Sequence, residues 1–348
     1  MVTRREVLRR GVGTAAALTA GPFLASCAPG AVSAPTATAG VPTATATLPP
    51  PETTSIAITV APCDSAMFAA DRFLREEGFS EVTIGDRAAL GEMTAGKAQL
   101  GSAFPMTFFA AVENGPKVIC LGGLHTGCAE VWAQPGISSV KDLKGRNITV
   151  TSKALGNIPY AYFVMLLQQA GLDPAKDVNF VVQSDADPLR LFLDGKNDAV
   201  FVATTGAVTI KTNPANKGKM INSQVMDQPW ASTNCCFITA SEQWYRANPI
   251  AAKRAMRAIY RTADALPADR GDAAKAATDK GLFGGATATA NVREAANMVP
   301  LDWRTYDVDK AMRFYAPLLP GVLKASTDDL LKAVDLKIFK ELSSELKK

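Results

Sequence analysis

Apolar and polar positions divide the chain into three stretches of different character. Residues 11–25 are small and apolar and follow a basic opening, Thr3-Arg4-Arg5-Glu6-Val7-Leu8-Arg9. About 15 apolar residues interrupted by Gly21-Pro22 fall short of the roughly 20 that cross a bilayer. The pattern is instead that of an export signal over residues 1–26. Leu24-Ala25-Ser26-Cys27 places small residues ahead of a cysteine, which makes Cys27 a lipid attachment site. The paired arginines suit either a twin-arginine or a general secretory route.

The second stretch, residues 27–53, is dominated by Ala, Thr and Pro and carries one charge, Glu52, and no aromatic residue. Such a composition cannot bury a core. It predicts a tether reaching up to roughly 80 Å if wholly polyproline-like.

Periodic segments begin in the third stretch. Ser55-Ile56-Ala57-Ile58-Thr59-Val60 alternates as a strand does, and residues 65–77 place Met67, Phe68, Phe73 and Leu74 at helical spacing. Further strands are predicted over 82–84, 117–121, 147–150 and 178–182, with a helix over 160–170. After residue 240 the period becomes helical over 250–266 and 311–340, and 281–290, rich in Gly, Ala and Thr, reads as a loop. Strands alternating with helices predict an α/β fold around a mostly parallel sheet.

The 295 residues from Thr54 onward exceed what one hydrophobic core usually serves, so two lobes are expected. The formal charge falls from +4 to +1 once the four arginines and Glu6 of the signal are gone. Near-neutrality argues against a nucleic-acid partner. No later apolar run reaches spanning length, which leaves the lipid as the only membrane attachment.

The chain also echoes itself. Gly96-Lys97-Ala98-Gln99-Leu100 recurs as Gly195-Lys196-Asn197-Asp198-Ala199, each copy after a helix-like segment and before a short apolar one, as two similar α/β lobes would produce. Between the copies, Ser139-Val140-Lys141-Asp142-Leu143-Lys144-Gly145-Arg146 leads into the 147–150 strand. These motifs, with Asn248-Pro249 opening a late helix, resemble extracytoplasmic solute-binding proteins of ABC importers, in the branch for sulfonates, nitrate and thiamine-precursor pyrimidines.

The resemblance implies a two-lobed, type II periplasmic-binding-protein-like fold. Residues 54–126 and 241–348 would form lobe 1 and residues 127–240 lobe 2, with crossovers near 127–133 and 234–240. It implies a monomer delivering a small planar or heterocyclic solute to an ABC permease and ATPase, with no catalysis and no cofactor. Ligands of such folds bind outside the carboxyl ends of strands. The candidate ligand residues there are Cys63, Asp64, Phe104, Ser152, Lys153, Asn157, Thr204, Trp230 and Asn234.

Several of these have a plainer reading. Asp64 is more simply a cap for the helix at Ser65, and Ser152 to Asn157 an ordinary capped turn. Phe104 and Trp230 could belong to the core, though Trp230 sits in the polar run Asp227-Gln228-Pro229-Trp230-Ala231-Ser232-Thr233-Asn234.

Beyond Cys27 the cysteines are Cys63, Cys120, Cys128, Cys235 and Cys236. An exported chain meets an oxidising compartment, and the crossovers implied by the resemblance would bring Cys128 beside Cys235 and Cys236 for a disulfide. The single histidine, His125, could join these thiols in a soft metal site, but its spacing fits no standard set and favours an exposed loop position. Two other functions stay open. One is an extracytoplasmic metal or haem carrier using the cysteines and His125. The other is an enzyme like the yeast-type thiamine-pyrimidine synthase, similar at Asn234-Cys235-Cys236-Phe237-Ile238. The chain keeps only part of that enzyme's cysteine run, and Thr107 stands where its reactive histidine is expected.

Overall fold

The computed structural model describes residues 48–346 except 88, 89, 116 and 306. The export signal, Cys27 and the tether as far as Thr47 lie outside the described residues.

Ten strands occur among the described residues: β1 (Ser55–Val60), β2 (Glu81–Asp86), β3 (Leu100–Ala103), β4 (Val118–Thr126), β5 (Ala129–Ala133), β6 (Asn147–Val150), β7 (Asn179–Val182), β8 (Ala199–Ala203), β9 (Lys219–Ser223) and β10 (Asn234–Ser241). They form a five-stranded sheet ordered β2-β1-β3-β10-β4, a three-stranded sheet β8-β5-β9 and the pair β6-β7. Asn147 of β6 donates its backbone N–H to the Asp198 carboxylate at 2.8 Å, which ties this pair to the approach of β8.

The expected parallel arrangement holds where helices connect strands: β1 runs parallel to β2 and β3, and β6 to β7. It fails at β10, antiparallel to β3 and β4, and at β5, antiparallel to β8 and β9. These strands flank the passages between the two sheets, so no βαβ crossover sets their direction. β5 belongs to the second sheet and β10 to the first. The chain therefore passes between sheets at 127–128 and over 224–233, not along 127–133 and 234–240.

The two Gly-Lys echoes occupy matching places. Gly96 (φ 80°) follows the Leu90–Thr94 helix and leads to β3, and Gly195 (φ 72°) follows Pro188–Leu193 and leads to β8. Both end a helix in the left-handed region that glycine enters without a Cβ penalty.

Two helical expectations are too long. Residues 65–77 divide into Ser65–Phe68 and Asp71–Glu76. Residues 311–340 lie in three helices, Val308–Tyr315, Thr327–Leu331 and Lys337–Glu345, because Pro317, Pro320 and Gly321 cannot continue the first. The 281–290 loop contains a tight turn segment, Leu282–Ala288, with Phe283 at φ 59°.

The Pro249–Ala265 helix is the main lid of the core. Its Ala251, Ala255, Met256, Ile259 and Tyr260 are buried, and Tyr260 stacks on Trp303 at 3.9 Å between centroids. On its other side Arg254, Arg257 and Arg261 all reach the buried Glu77. The end of the tether is anchored here too. Glu52 accepts from the N–H groups of Ile250 and Ala251 at 3.0 and 2.8 Å, and Arg254 donates to the carbonyls of Leu48 and Pro49. Burial works against its charge, but these two donors hold the Glu52 carboxyl below its usual range. Residues 48–53, the end of the expected tether, are thus held against this helix.

Candidate functional site

Where the first sheet gives way to the second, three chain segments bring their polar side chains into one buried cluster. The first is the loop after β1. Asp64 stands at the start of the Ser65–Phe68 helix, but its carboxylate does not cap it. Oδ2 accepts from the Ala61 N–H at 2.6 Å, from Arg87 at 3.2 Å and from the Ser102 hydroxyl, while Oδ1 faces Cys63 Sγ at 3.6 Å.

The other two segments are the ends of β4 and β10, where His125 pairs with Cys236 across the ladder. His125 is not in an exposed loop; it is fully buried within β4. Its Nε2 lies 3.2 Å from Asp64 Oδ1, and its Nδ1 donates to the Thr126 carbonyl at 3.1 Å. Cys128 and Cys235 follow, with their Sγ atoms 2.6 Å apart, and Arg87 reaches to 3.7 Å of Cys236 Sγ. All five described cysteines are buried and free. The donor atoms of Cys63, Asp64, His125 and Cys236 lie within 4.8 Å of one another, and so do those of Cys128, Cys235 and Cys236.

These neighbours split the acidities of the thiols. Hydrogen bonding with Cys128 and Cys236, then burial, pushes Cys63 well up, and burial does the same to Cys128 and Cys235. Cys236 goes the other way. Burial opposes its ionisation, but hydrogen bonds from Cys128, Cys235 and Cys63 and the charge of His125 bring it well below the usual thiol value. Burial likewise opposes charge on His125, and negative charge at Cys236 and Cys63 together with Asp64 raises it well above the ordinary imidazole value.

Around it several buried side-chain atoms have no hydrogen-bond partner: both Oδ1 and Nδ2 of Asn234, Thr126 Oγ1, Ser65 Oγ, Gln224 Oε1 and Arg87 Nε. Asn234 and Thr126 pair across β10 and β4, and the Asn234 carboxamide lies against Gly123, where any Cβ would collide with it at 2.3 Å. Buried polar groups are normally satisfied. Here several unsatisfied ones lie close to the cluster.

Of the remaining candidates, Thr204 is the most unusual. This β-branched residue holds φ 51°, ψ −124°, with its N–H donating to the Cys128 carbonyl at 3.0 Å. Such a conformation costs of order 1–3 kcal/mol and clusters at functional sites. Phe104 is buried beneath Arg87, whose guanidinium carbon lies 5.4 Å from the ring centroid.

Trp230 is only 2 % exposed, with Tyr162, Phe314 and Tyr315 packed about it at 5.1, 5.2 and 6.0 Å, so it is a core residue despite its polar sequence surroundings. Asn157 spends its side chain as a helix cap, accepting from Tyr160 N–H and donating to Thr151 Oγ1. Ser152 accepts from Ala154 N–H, and Lys153 is exposed. Arg87, Ser102, Thr126 and Gln224, which also reach this region, lie in or beside strands where no sequence motif marks them.

The fold has known counterparts. The alkanesulfonate-binding protein SsuA of Xanthomonas axonopodis pv. citri, bound to MOPS, superposes with a TM-score of 0.61 at 16 % identity, over 82 % of this chain and 99 % of that one. The periplasmic nitrate-binding protein NrtA of Synechocystis PCC 6803 gives 0.66 at 14 % identity, over 85 % and 90 %. The periplasmic aliphatic sulphonate-binding protein SsuA of Escherichia coli gives 0.62 at 15 % identity, over 81 % and 92 %. No curated protein matches the sequence. These likenesses establish the periplasmic-binding-protein fold. The family described as NMT1/THI5 like matches residues 81–273, more than half of the sequence, and the chain belongs to that family.

Proposed function

We propose that the chain is the solute-binding receptor of an ABC importer, exported and anchored through lipidated Cys27. The first sheet with the late helices forms one lobe, and the second sheet with β6-β7 the other. The solute sits between them and is handed to a permease driven by an ATPase. Family membership and the folds of the sulfonate- and nitrate-binding proteins support this reading.

The observation that carries it furthest is Asn234. Its buried carboxamide offers one acceptor and one donor side by side, neither used within the protein. That edge matches the adjacent donor and acceptor of a planar heterocycle. Arg87, Thr126 and Gln224 supply further hydrogen-bonding atoms close by in the fold. The enzyme alternative has no comparable support: Thr107 donates its hydroxyl to the Phe104 carbonyl at 2.8 Å and serves the helix backbone.

The test is a thermal-shift screen of pyrimidines, flavins, sulfonates and aromatic acids, followed by calorimetry of hits. Leaving a polar partner unpaired costs about 1–3 kcal/mol, so Asn234→Leu should weaken the true solute by about fivefold to a hundredfold. A heterocycle bound equally well by wild type and Asn234→Leu would refute the assignment of Asn234. If nothing in the screen binds and no small molecule co-purifies, the receptor reading fails.

A further inference from the structure

We propose that Cys63, Asp64, His125 and Cys236 form a binding site for one thiolate-preferring divalent cation of the zinc class. The proposal is independent of which solute the receptor carries.

The first support is that two potential ligand atoms face each other. His125 Nδ1 donates to the Thr126 carbonyl, which in a neutral ring leaves Nε2 with a bare lone pair. That lone pair faces Asp64 Oδ1 at 3.2 Å in a fully buried setting. A proton on Nε2 bridges this pair when the site is empty, and a cation that displaces the proton would take both lone pairs at once. A cation there would also meet Cys63 and Cys236.

The second support is geometric. Zinc takes sulfur at about 2.3 Å and nitrogen or oxygen at about 2.0–2.2 Å, which makes tetrahedral ligand-to-ligand edges of roughly 3.3–3.8 Å. Asp64 Oδ1 stands 3.2 Å from His125 Nε2 and 3.6 Å from Cys63 Sγ, with all four donors inside 4.8 Å. The edges already present are near those values, and the longest need close by only about 1 Å.

The outer shell is also in place. Metal-bound histidines usually donate their other N–H to a carbonyl or carboxylate, as Nδ1 does here. The second oxygen of Asp64 is held by the Ala61 N–H, Arg87 and Ser102, which fixes Oδ1 towards the cluster. The charges balance as well. Two thiolates and a carboxylate are neutralised by Arg87 and a divalent ion, where a monovalent ion would leave a buried negative charge. Cys128 and Cys235 touch each other and are not among these four ligands.

Metal-stripped, reduced protein purified without an affinity tag and offered Zn²⁺ alone should bind about one equivalent, measured by elemental analysis and chelator competition. Cys236→Ser and His125→Asn should each weaken binding by at least about a hundredfold. Cys120→Ser, outside the cluster, should leave it unchanged. Undiminished affinity in His125→Asn, or substoichiometric zinc in folded wild-type protein, would overturn the site. Should the variants fail to fold, Co²⁺ bound to wild type decides: a tetrahedral spectrum with thiolate charge-transfer bands supports the site, and an octahedral, thiolate-free spectrum overturns it.

Discussion

Replacing Trp230 with alanine separates a packing role from a ligand-stacking role. The indole is enclosed by Tyr162, Phe314 and Tyr315, and the backbone around it is pinned by Thr233, which donates both its N–H and its hydroxyl to the Trp230 carbonyl. Tyr162 is itself held by a 2.6 Å hydrogen bond to Asn222, and Tyr315 by donating its hydroxyl to the Asn234 carbonyl. Rings fixed in this way cannot collapse into the space an indole leaves. The cost of Trp230→Ala should therefore fall in the upper part of the roughly 3–5 kcal/mol range for large aromatic truncations. At about 2 °C per kcal/mol for a chain of this size, melting should drop by roughly 8–10 °C. Trp230→Phe should recover most of the loss. Solute affinity measured well below the melting range should stay within about threefold, or 0.7 kcal/mol. Scanning calorimetry paired with titration reads both quantities. Unchanged melting with binding weakened about tenfold or more would show that the indole faces the solute and that this packing argument is wrong.

Two further outcomes follow from the same arrangement. In exported, oxidised protein Cys128 and Cys235 should pass two electrons and two protons to a disulfide oxidant and become bridged, so that thiol counting after denaturation with a chelator finds Cys63, Cys120 and Cys236 free; five free thiols would exclude the bridge. Cys27→Ala should abolish partitioning of the protein into detergent or leave its signal uncleaved, whereas processing and partitioning as in wild type would end the lipoprotein reading.

Much of the architecture was legible in the sequence because it rests on local periodicity. The alternation at Ser55 to Val60 and the helical spacing after Pro249 each express one buried face, and that needs no knowledge of the partner element. The Gly96 and Gly195 echoes were legible for a similar reason, since a helix ending in the left-handed region asks for glycine wherever it packs. Strand direction at β5 and β10 was not, because it depends on how the chain passes between sheets. Nor was the role of Trp230, whose polar sequence neighbours say nothing of the three rings brought to it from residues 162, 314 and 315.

The cluster marks the same boundary most sharply. The sequence placed Cys63 and Asp64 just after the first strand and supplied a single histidine, while only the family resemblance put Cys128, Cys235 and Cys236 near one another. Only the tertiary structure decided that His125 turns inward on β4 to meet Asp64 from 61 residues away, with Arg87 and Ser102 behind that carboxylate. The reason is physical: a periodic pattern fixes which face of an element is buried, but whether two buried polar groups meet depends on the register between strands that are distant in the chain.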